Sequence, residues 1–443
     1  MRWRPFLAFL GAFLAFSGGL GGLMAVRRPA TVTFVFTGDT QGFLVPCGCR
    51  TVPAGGLARR AGLLAHLRSQ PHAGAVVPVE VAHGLAERGP ARDKLNRQMG
   101  RFFKREGVLL GLGGYDLLLG PEALHLFVPG VEKYIAGRET YPGSREFRLG
   151  GWGVGPVGPT AARLRLVFVS ETPPEGAPMG DPLEAFESEI REHPADGYVV
   201  TGNLSTGAVG RLLNAHPEIL AVVAQWGTQV TTAPQRVRDT WVLWIGDRGR
   251  RAATLTVVRE KGRWSVLPGI SYLGPEIPSD PEVEAEVQET LASVEAYNRQ
   301  ALDLITRPAP AGKGYAGAAA CASCHPGAHA VWSKTRHARA TEDLAVDHQS
   351  SNPECLKCHA TGVGRPGGFP RADADLSGVQ CEACHGPGAG HPPEKMPVLE
   401  LAAVCAPCHG KRDSPLFDAE AYWQVIRHGG EEGAQPEGDP ARR

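Results

Sequence analysis

The segment TVTFVFTGDTQGFLVPCGC, residues 31–49, sets the reading of the first half of the chain. Its opening six residues are β-branched or aromatic, the composition of a buried strand. The run breaks at Gly38, and the loop that follows starts on an acid, Asp39. Eight and ten residues after it come Cys47 and Cys49, with a single glycine between them. A thiol pair this close can close as a strained, easily reduced disulfide. It can equally offer two thiolates to a soft metal, or serve as a plain structural disulfide or packed loop. The three readings stay open on the residues alone, and Cys47 and Cys49 are carried forward as a candidate redox or metal pair.

Outward from this segment the same pattern repeats. GGLARRAGLLAHLRSQ and DKLNRQMGRFFKREG read as helices, and GAVVPVEVAHG lies between them as a strand. RLRLVFVSE, DGYVVTGN, ILAVVAQWG, TWVLWIGD and ATLTVVRE are further strands. Alternation of this kind predicts a layered α/β domain over residues 29–275. SDPEVEAEVQETLASVEAYNRQALDLI then predicts a helix, with Ser279 and Pro281 at its start and Val283, Val287, Leu291, Val294 and Tyr297 on one face. Together with the Pro/Gly stretch RPAPAGKGYAG it makes residues 276–312 a connector. Residues 313–443 are short of apolar runs but rich in cysteine and histidine, so something other than side chains must fill that core.

At 443 residues the chain is too long for one core. Lys plus Arg equals Asp plus Glu, 46 each, so no strong field for nucleic acid is present, and no nucleic-acid partner is expected. Residues 1–28 open with Arg2 and Arg4 and continue into an apolar run over 6–26. Such a run predicts export to the periplasm or another extracytoplasmic space. Being near the roughly 20 residues that span a bilayer, it is read either as a cleaved signal peptide or as an inner-membrane anchor.

Two of the ten cysteines are Cys47 and Cys49; the other eight fall between 321 and 408 as four CxxCH motifs. These are Cys321, Cys324 and His325; Cys355, Cys358 and His359; Cys381, Cys384 and His385; and Cys405, Cys408 and His409. Covalent haem c demands this arrangement, because two thiols add to the two vinyl groups and the adjacent imidazole reaches the iron. Zinc also uses paired CxxC units but does not require a histidine after each pair. The pattern predicts four covalently bound haem c groups. Five histidines remain as second axial ligands: His329, His337, His348, His391 and His428. Four irons beside five spare imidazoles predict bis-His ligation for at least three sites, a closed arrangement suited to electron transfer. Trp332, Phe417 and Trp423 are expected to pack against the cofactors.

The order CASCHPGAHAVWSKTRHARA, PECLKCHATG, GVQCEACHGPGAGH, CAPCH and WQVIRH resembles the tetrahaem cytochrome family of the hydroxylamine-oxidation electron-transfer pathway, over about residues 313–430. The resemblance implies that His337, His391 and His428 are distal ligands, that the haems lie in close contact, and that one haem is sometimes five-coordinate. For the fourth haem, His348, His329 and an open face all remain as readings.

GDTQG, GGLARRAGLL, GYDLLLGPEAL, GYVVTGN and AVVAQWG resemble, over about residues 31–260, the exported 5′-nucleotidase-like branch of the calcineurin-type metallophosphoesterases. This implies a β-sandwich flanked by helices, with metal ligands on loops at strand ends. The family pattern needs Asp-x-His, a second Asp, Asn-His-Glu/Asp and later histidines to hold two metals. Asp39 is kept, but Gln41 replaces the first His, Gly114 and Tyr115 stand where Asn and His belong, and Asn203 stands where a later His is expected. His83, Asp116 and Glu80 are the residues left to improvise a metal site. The fold class expected is therefore multidomain: a metallophosphoesterase-like α/β layer, degenerate in its ligands, followed by a mostly helical, loop-rich tetrahaem cytochrome domain. The function expected is electron transfer between redox protein partners. Its alternatives are a multihaem oxidoreductase acting on a small substrate at a five-coordinate haem, and an active metallophosphoesterase.

Overall fold

The computed structural model describes residues 30–46, 53–70, 74–128, 143–149, 161–171, 180–227, 229–246, 248–346, 349–392, 400–409, 414 and 417–428. The chain divides into two compact units, Met1–Val287 and Gln288–Arg443.

The first unit holds two mixed sheets. Strand β1 (Ala30–Thr37) is the centre of a five-stranded sheet, where it runs parallel to β2 (Ala75–Glu80), itself parallel to β3 (Leu109–Leu110). On its other side β1 pairs antiparallel with β10 (Arg251–Glu260), which pairs with the edge strand β11 (Arg263–Tyr272). The six-stranded sheet has the order β4 (Gly143–Leu149), β5 (Ala162–Phe168), β6 (Gly197–Asn203), β7 (Ile219–Gln225), β9 (Thr240–Trp244) and β8 (Gln235–Val237). Its four central strands are parallel, and its two edges are antiparallel.

The strand period of two decides how the sheets stack. Val32, Phe34 and Phe36 of β1 meet Leu164, Leu166 and Phe168 of β5, Val199 of β6 and Val223 of β7 in one buried cluster. Val167, Val200 and Val222 point the other way, onto Phe186 of the helix Pro182–Glu192 and Leu212 of the helix Thr206–Ala215. The result is a sandwich with flanking helices, the architecture the sequence predicts. The helix Leu57–Ser69 packs beside β2 and buries Arg60, whose guanidinium pairs with Glu80 at 2.6 Å and lies over the rings of Phe102 and Phe103.

Four strands escape sequence reading, the two-residue β3, the three-residue β8, and β4 and β11. β4 reads GSREFRL and β11 reads RWSVLPGISY, with arginines in the first and Pro268 and Gly269 in the second. Both lie at sheet edges, where charge and proline are tolerated because one side of the ladder is unpaired.

The helix Pro281–Ile305 forms as predicted, with Val283, Val287, Leu291 and Val294 buried. Its cap is Asp280 rather than Ser279: the Asp280 carboxylate accepts from the backbone N–H of Glu282 and of Val283. The division between the two units falls within this helix. The described helices beyond it are short, at most eight residues. The second unit's buried apolar cluster is Leu302, Leu344, Leu356 and Ala360, a small core compared with the sandwich of the first unit.

Candidate functional site

The strand ends of the first unit carry the residues where the sequence places remnants of a metal site. Asp39, Gln41 and His83 all adopt left-handed backbone conformations, with φ of 56°, 47° and 55°. Such angles cost energy in non-glycine residues and cluster at sites that fix side-chain direction. Gln41 Nε2 donates to Asp39 Oδ1 at 2.6 Å, and His83 Nδ1 lies 3.8 Å from the same oxygen.

The other two carboxylates are committed to the fold. Glu80 is fully buried and accepts from Thr37 Oγ1 at 2.9 Å, Thr40 Oγ1 at 2.7 Å and Arg60 Nη1 at 2.6 Å. Asp116 accepts from the backbone N–H groups of His83, Leu85 and Gly113 at 2.6, 3.1 and 2.9 Å. Burial pushes the Asp116 carboxyl above its ordinary value, against the opposing pull of His83 and the backbone donors. Asp116 is therefore a tie between loops. Among the described residues no group of three His, Cys, Asp or Glu side chains could hold a metal ion. The two-metal centre that the fold resemblance implies does not fit this donor set. His83 has two buried ring nitrogens without hydrogen-bond partners, and Asn203 Nδ2 and Gln225 Oε1 at the ends of β6 and β7 likewise lack one. Cys47 and Cys49 lie outside the described residues.

In the second unit the four CxxCH motifs sit on or beside single helical turns. Cys321 lies in Ala318–Ala322, Cys355 to His359 in Pro353–His359, Cys381 to His385 in Cys381–His385, and Cys405 ends Leu401–Cys405. None of the eight is joined in a disulfide among the described residues. Burial pushes Cys321 up to about 11, helped by the neighbouring Cys381, and Cys408 up to about 12, helped by Cys358. Thiols of the first and third motifs thus adjoin, as do those of the second and fourth.

The imidazoles form a pattern that the sequence spacing does not reveal. His325 faces His391 with ring centroids 6.2 Å apart, His337 faces His409 at 6.1 Å, and His385 faces His428 at 6.0 Å. A ring-on-ring contact is much closer: Phe417 lies on His409 at 4.4 Å and 11°. Two imidazoles on one metal are separated by two bonds of about 2 Å and two half-rings of roughly 1.1 Å, or about 6 Å in all. The pairs therefore fit a six-coordinate iron between them.

Burial and hydrogen bonding constrain several of these rings. Burial lowers the pKa of His337, His385 and His409, with His409 adding to the effect at His337 and His428 and His325 at His385. Nδ1 of His428 lies 3.0 Å from Ile426 O, that of His409 3.1 Å from Ser414 Oγ, and that of His359 2.7 Å from Ala340 O. Donation from Nδ1 to an oxygen fixes the ring and leaves Nε2 available to a ligand role.

His359 is the exception among the histidines of the four motifs, since no ring contact pairs it with another histidine among the described residues. His348 lies outside the described residues. His329 packs on Trp332 of its own helix, ring centroids 5.3 Å apart, and Trp332 Nε1 donates to Val379 O.

The family model for cytochrome c554 and c-prime matches residues 320–386. The matched span contains the first three CxxCH motifs of the cytochrome c554-like part and His337. Covalently bound haem c is the cofactor this match points to. No curated protein sequence matches the chain.

Among solved structures, the sulfate thiohydrolase SoxB of Thermus thermophilus, in complex with glycerol, is similar at 16% identity and a TM-score of 0.47, covering 59% of this chain and 60% of that one. A 5′-nucleotidase precursor, also from Thermus thermophilus, is similar at 18% identity and a TM-score of 0.45, covering 63% and 61%. A 5′-nucleotidase from Candida albicans is similar at 13% identity and a TM-score of 0.44, covering 65% and 61%. The chain spans about three fifths of the length of these proteins. The two mixed sheets with flanking helices resemble the 5′-nucleotidase fold, and the cytochrome c554-like part follows them. Among the described residues no helix is long and apolar enough to cross a membrane, and the apolar run 6–26 lies outside them.

Proposed function

We propose that this protein is an exported tetrahaem c-type cytochrome that passes electrons between redox protein partners, fused to a nucleotidase-like domain without its metal centre. The observation that carries the reading is the set of three imidazole pairs at 6.0–6.2 Å. Haem c, when bound, supplies a one-electron iron couple whose potential follows from its axial ligands and burial. The eight thiols of the four motifs would hold it covalently. His325 with His391, His409 with His337, and His385 with His428 would fill both axial positions and exclude substrate from three sites. Adjacent thiols from the first and third motifs, and from the second and fourth, bring the attachment points of different haems together. Short separations between carriers are what electron transfer needs. Export suits this reading, because haem c is attached outside the cytoplasm, and the run 6–26 would supply the signal or anchor.

His359 supports a second reading. With no ring opposite it among the described residues, its site is held by His348 or stays open to a small substrate, as a multihaem oxidoreductase would require. Spectroscopy on the exported holoprotein separates the two: an additional high-spin ferric haem favours the open site, and four low-spin haems remove it. A phosphoesterase reading has little support, because Glu80 and Asp116 are bound up in the fold.

A further inference from the structure

Glu382 occupies the spacer of the third CxxCH motif, a place where a carboxylate would ordinarily point to water, yet only 3% of it is exposed. Its Oε1 accepts from the backbone N–H of Ala316 at 2.7 Å and of Gly388 at 2.7 Å, and its Oε2 accepts from that of Gly317 at 2.8 Å. Ala316 and Gly317 lead into the helix Ala318–Ala322, which carries Cys321 and is followed after a turn by His325. Gly388 belongs to the loop that ends on His391, whose own N–H donates to Gly388 O at 3.0 Å. One carboxylate therefore grips both backbone segments that present the His325–His391 pair, while being itself built into the motif that presents His385.

The neighbouring contacts complete the clamp. Gln380 Oε1 accepts from Ala318 N–H at 2.7 Å, and Ala389 N–H donates to Gly314 O at 3.0 Å. A Cβ added at Gly388 would come within 3.1 Å of Glu382 Oε1, so glycine is what allows the loop to approach. Gly317 has φ +85°, a conformation that suits glycine and turns its N–H onto the carboxylate. A buried carboxylate held by three backbone donors is a costly arrangement to build and a stiff one once built.

We infer that Glu382 is a positioning residue: it keeps His391 opposite His325, so that the first motif's site remains six-coordinate. The inference rests on the reading of that pair as the two axial ligands of one haem. Its buried negative charge also favours the more positive, oxidised state of the adjoining iron, which holds that site at a lower potential than an uncharged clamp would.

The test uses the full-length holoprotein and reads electron paramagnetic resonance and the four reduction potentials. In Glu382→Ala one low-spin signal is lost and one more high-spin haem appears than in the parent, with the other sites unchanged. In Glu382→Gln, where the amide oxygen can still accept, the low-spin signal stays and a single potential rises. Gly388→Ala keeps the charge but crowds the clamp, and it broadens or shifts the same single signal; it decides the matter should Glu382→Ala fail to assemble. Unchanged spectra and potentials in both Glu382→Gln and Gly388→Ala overturn the inference. A parent protein that lacks bis-His signals instead overturns the ligation reading, so the two failures are distinguishable.

Discussion

The two units of this chain solve the problem of a core in opposite ways. In the first, Phe34, Phe36, Leu164, Phe168 and their neighbours fill the space between two sheets, and helices cover the outside. In the second, the buried apolar cluster amounts to Leu302, Leu344, Leu356 and Ala360, and the remaining order comes from hydrogen bonds among loops. The segment 378–382 shows the difference well. Val379 accepts from Trp332 Nε1, its N–H donates to His337 O, Gln380 N–H donates to Thr361 Oγ1, and Glu382 accepts from three amides. Polar networks of this kind specify geometry but bury little apolar area, so on the proposed function a covalently held cofactor would supply the missing interior. The lesson is that a side-chain core stands alone, whereas a Cys/His-rich unit is a frame whose stability depends on what it holds.

The sharpest way to break that contrast is to withhold the cofactor. Expressed without covalent haem attachment, the full chain is expected to lose protease resistance beyond residue 288 and keep it in the sandwich. Limited proteolysis with mass mapping reads this directly, and equal resistance in both units would sink the comparison. Next in size is Phe34→Ala, which removes a wholly buried ring from the sandwich. It should cost roughly 3–5 kcal/mol of the first unit's stability in denaturant titration, with the haem spectrum unmoved.

Smaller again is Asp116→Asn, which places an amide where three N–H donors converge; the expected cost is about 1–3 kcal/mol. The pH dependence has a definite sign. Burial raises the folded-state pKa of Asp116 above its ordinary 3.8, so the folded chain holds that proton more tightly than the unfolded one. Its contribution is full below the ordinary value and is lost as pH rises through the raised one. The Asn variant should therefore show a flatter stability profile there, and an unaltered profile would contradict the assignment. The smallest expected effect is none. Manganese added to the metal-free chain should produce neither phosphodiester hydrolysis above background nor a shift in the melting of the first unit, since Glu80 and Asp116 have no oxygens to spare.

How much of this was legible beforehand follows the same division. The sandwich could be read because buried strands announce themselves in runs such as TVTFVF, and the CxxCH motifs because attachment chemistry fixes their spacing. The edge strands β4 and β11 could not, since charge and proline there imitate loops. The family resemblance implies His337, His391 and His428 as distal ligands but carries no register telling which motif histidine each faces. The partner of His325 is 66 residues away by number, and only the folded loops bring it near. Glu80 looked like a candidate ligand because its consumers, Thr37, Thr40 and Arg60, are 43, 40 and 20 residues distant. Glu382 is hidden for a related reason: a lone acid between two cysteines gives no hint that three amides converge on it.

The most direct test of the account is the haem stoichiometry and spin state of the purified, exported holoprotein, measured together by haemochrome assay and electron paramagnetic resonance. The account predicts four haems per chain, of which at least the three with facing imidazoles are low-spin bis-His centres. Fewer than four haems, or two or more high-spin irons, would contradict it.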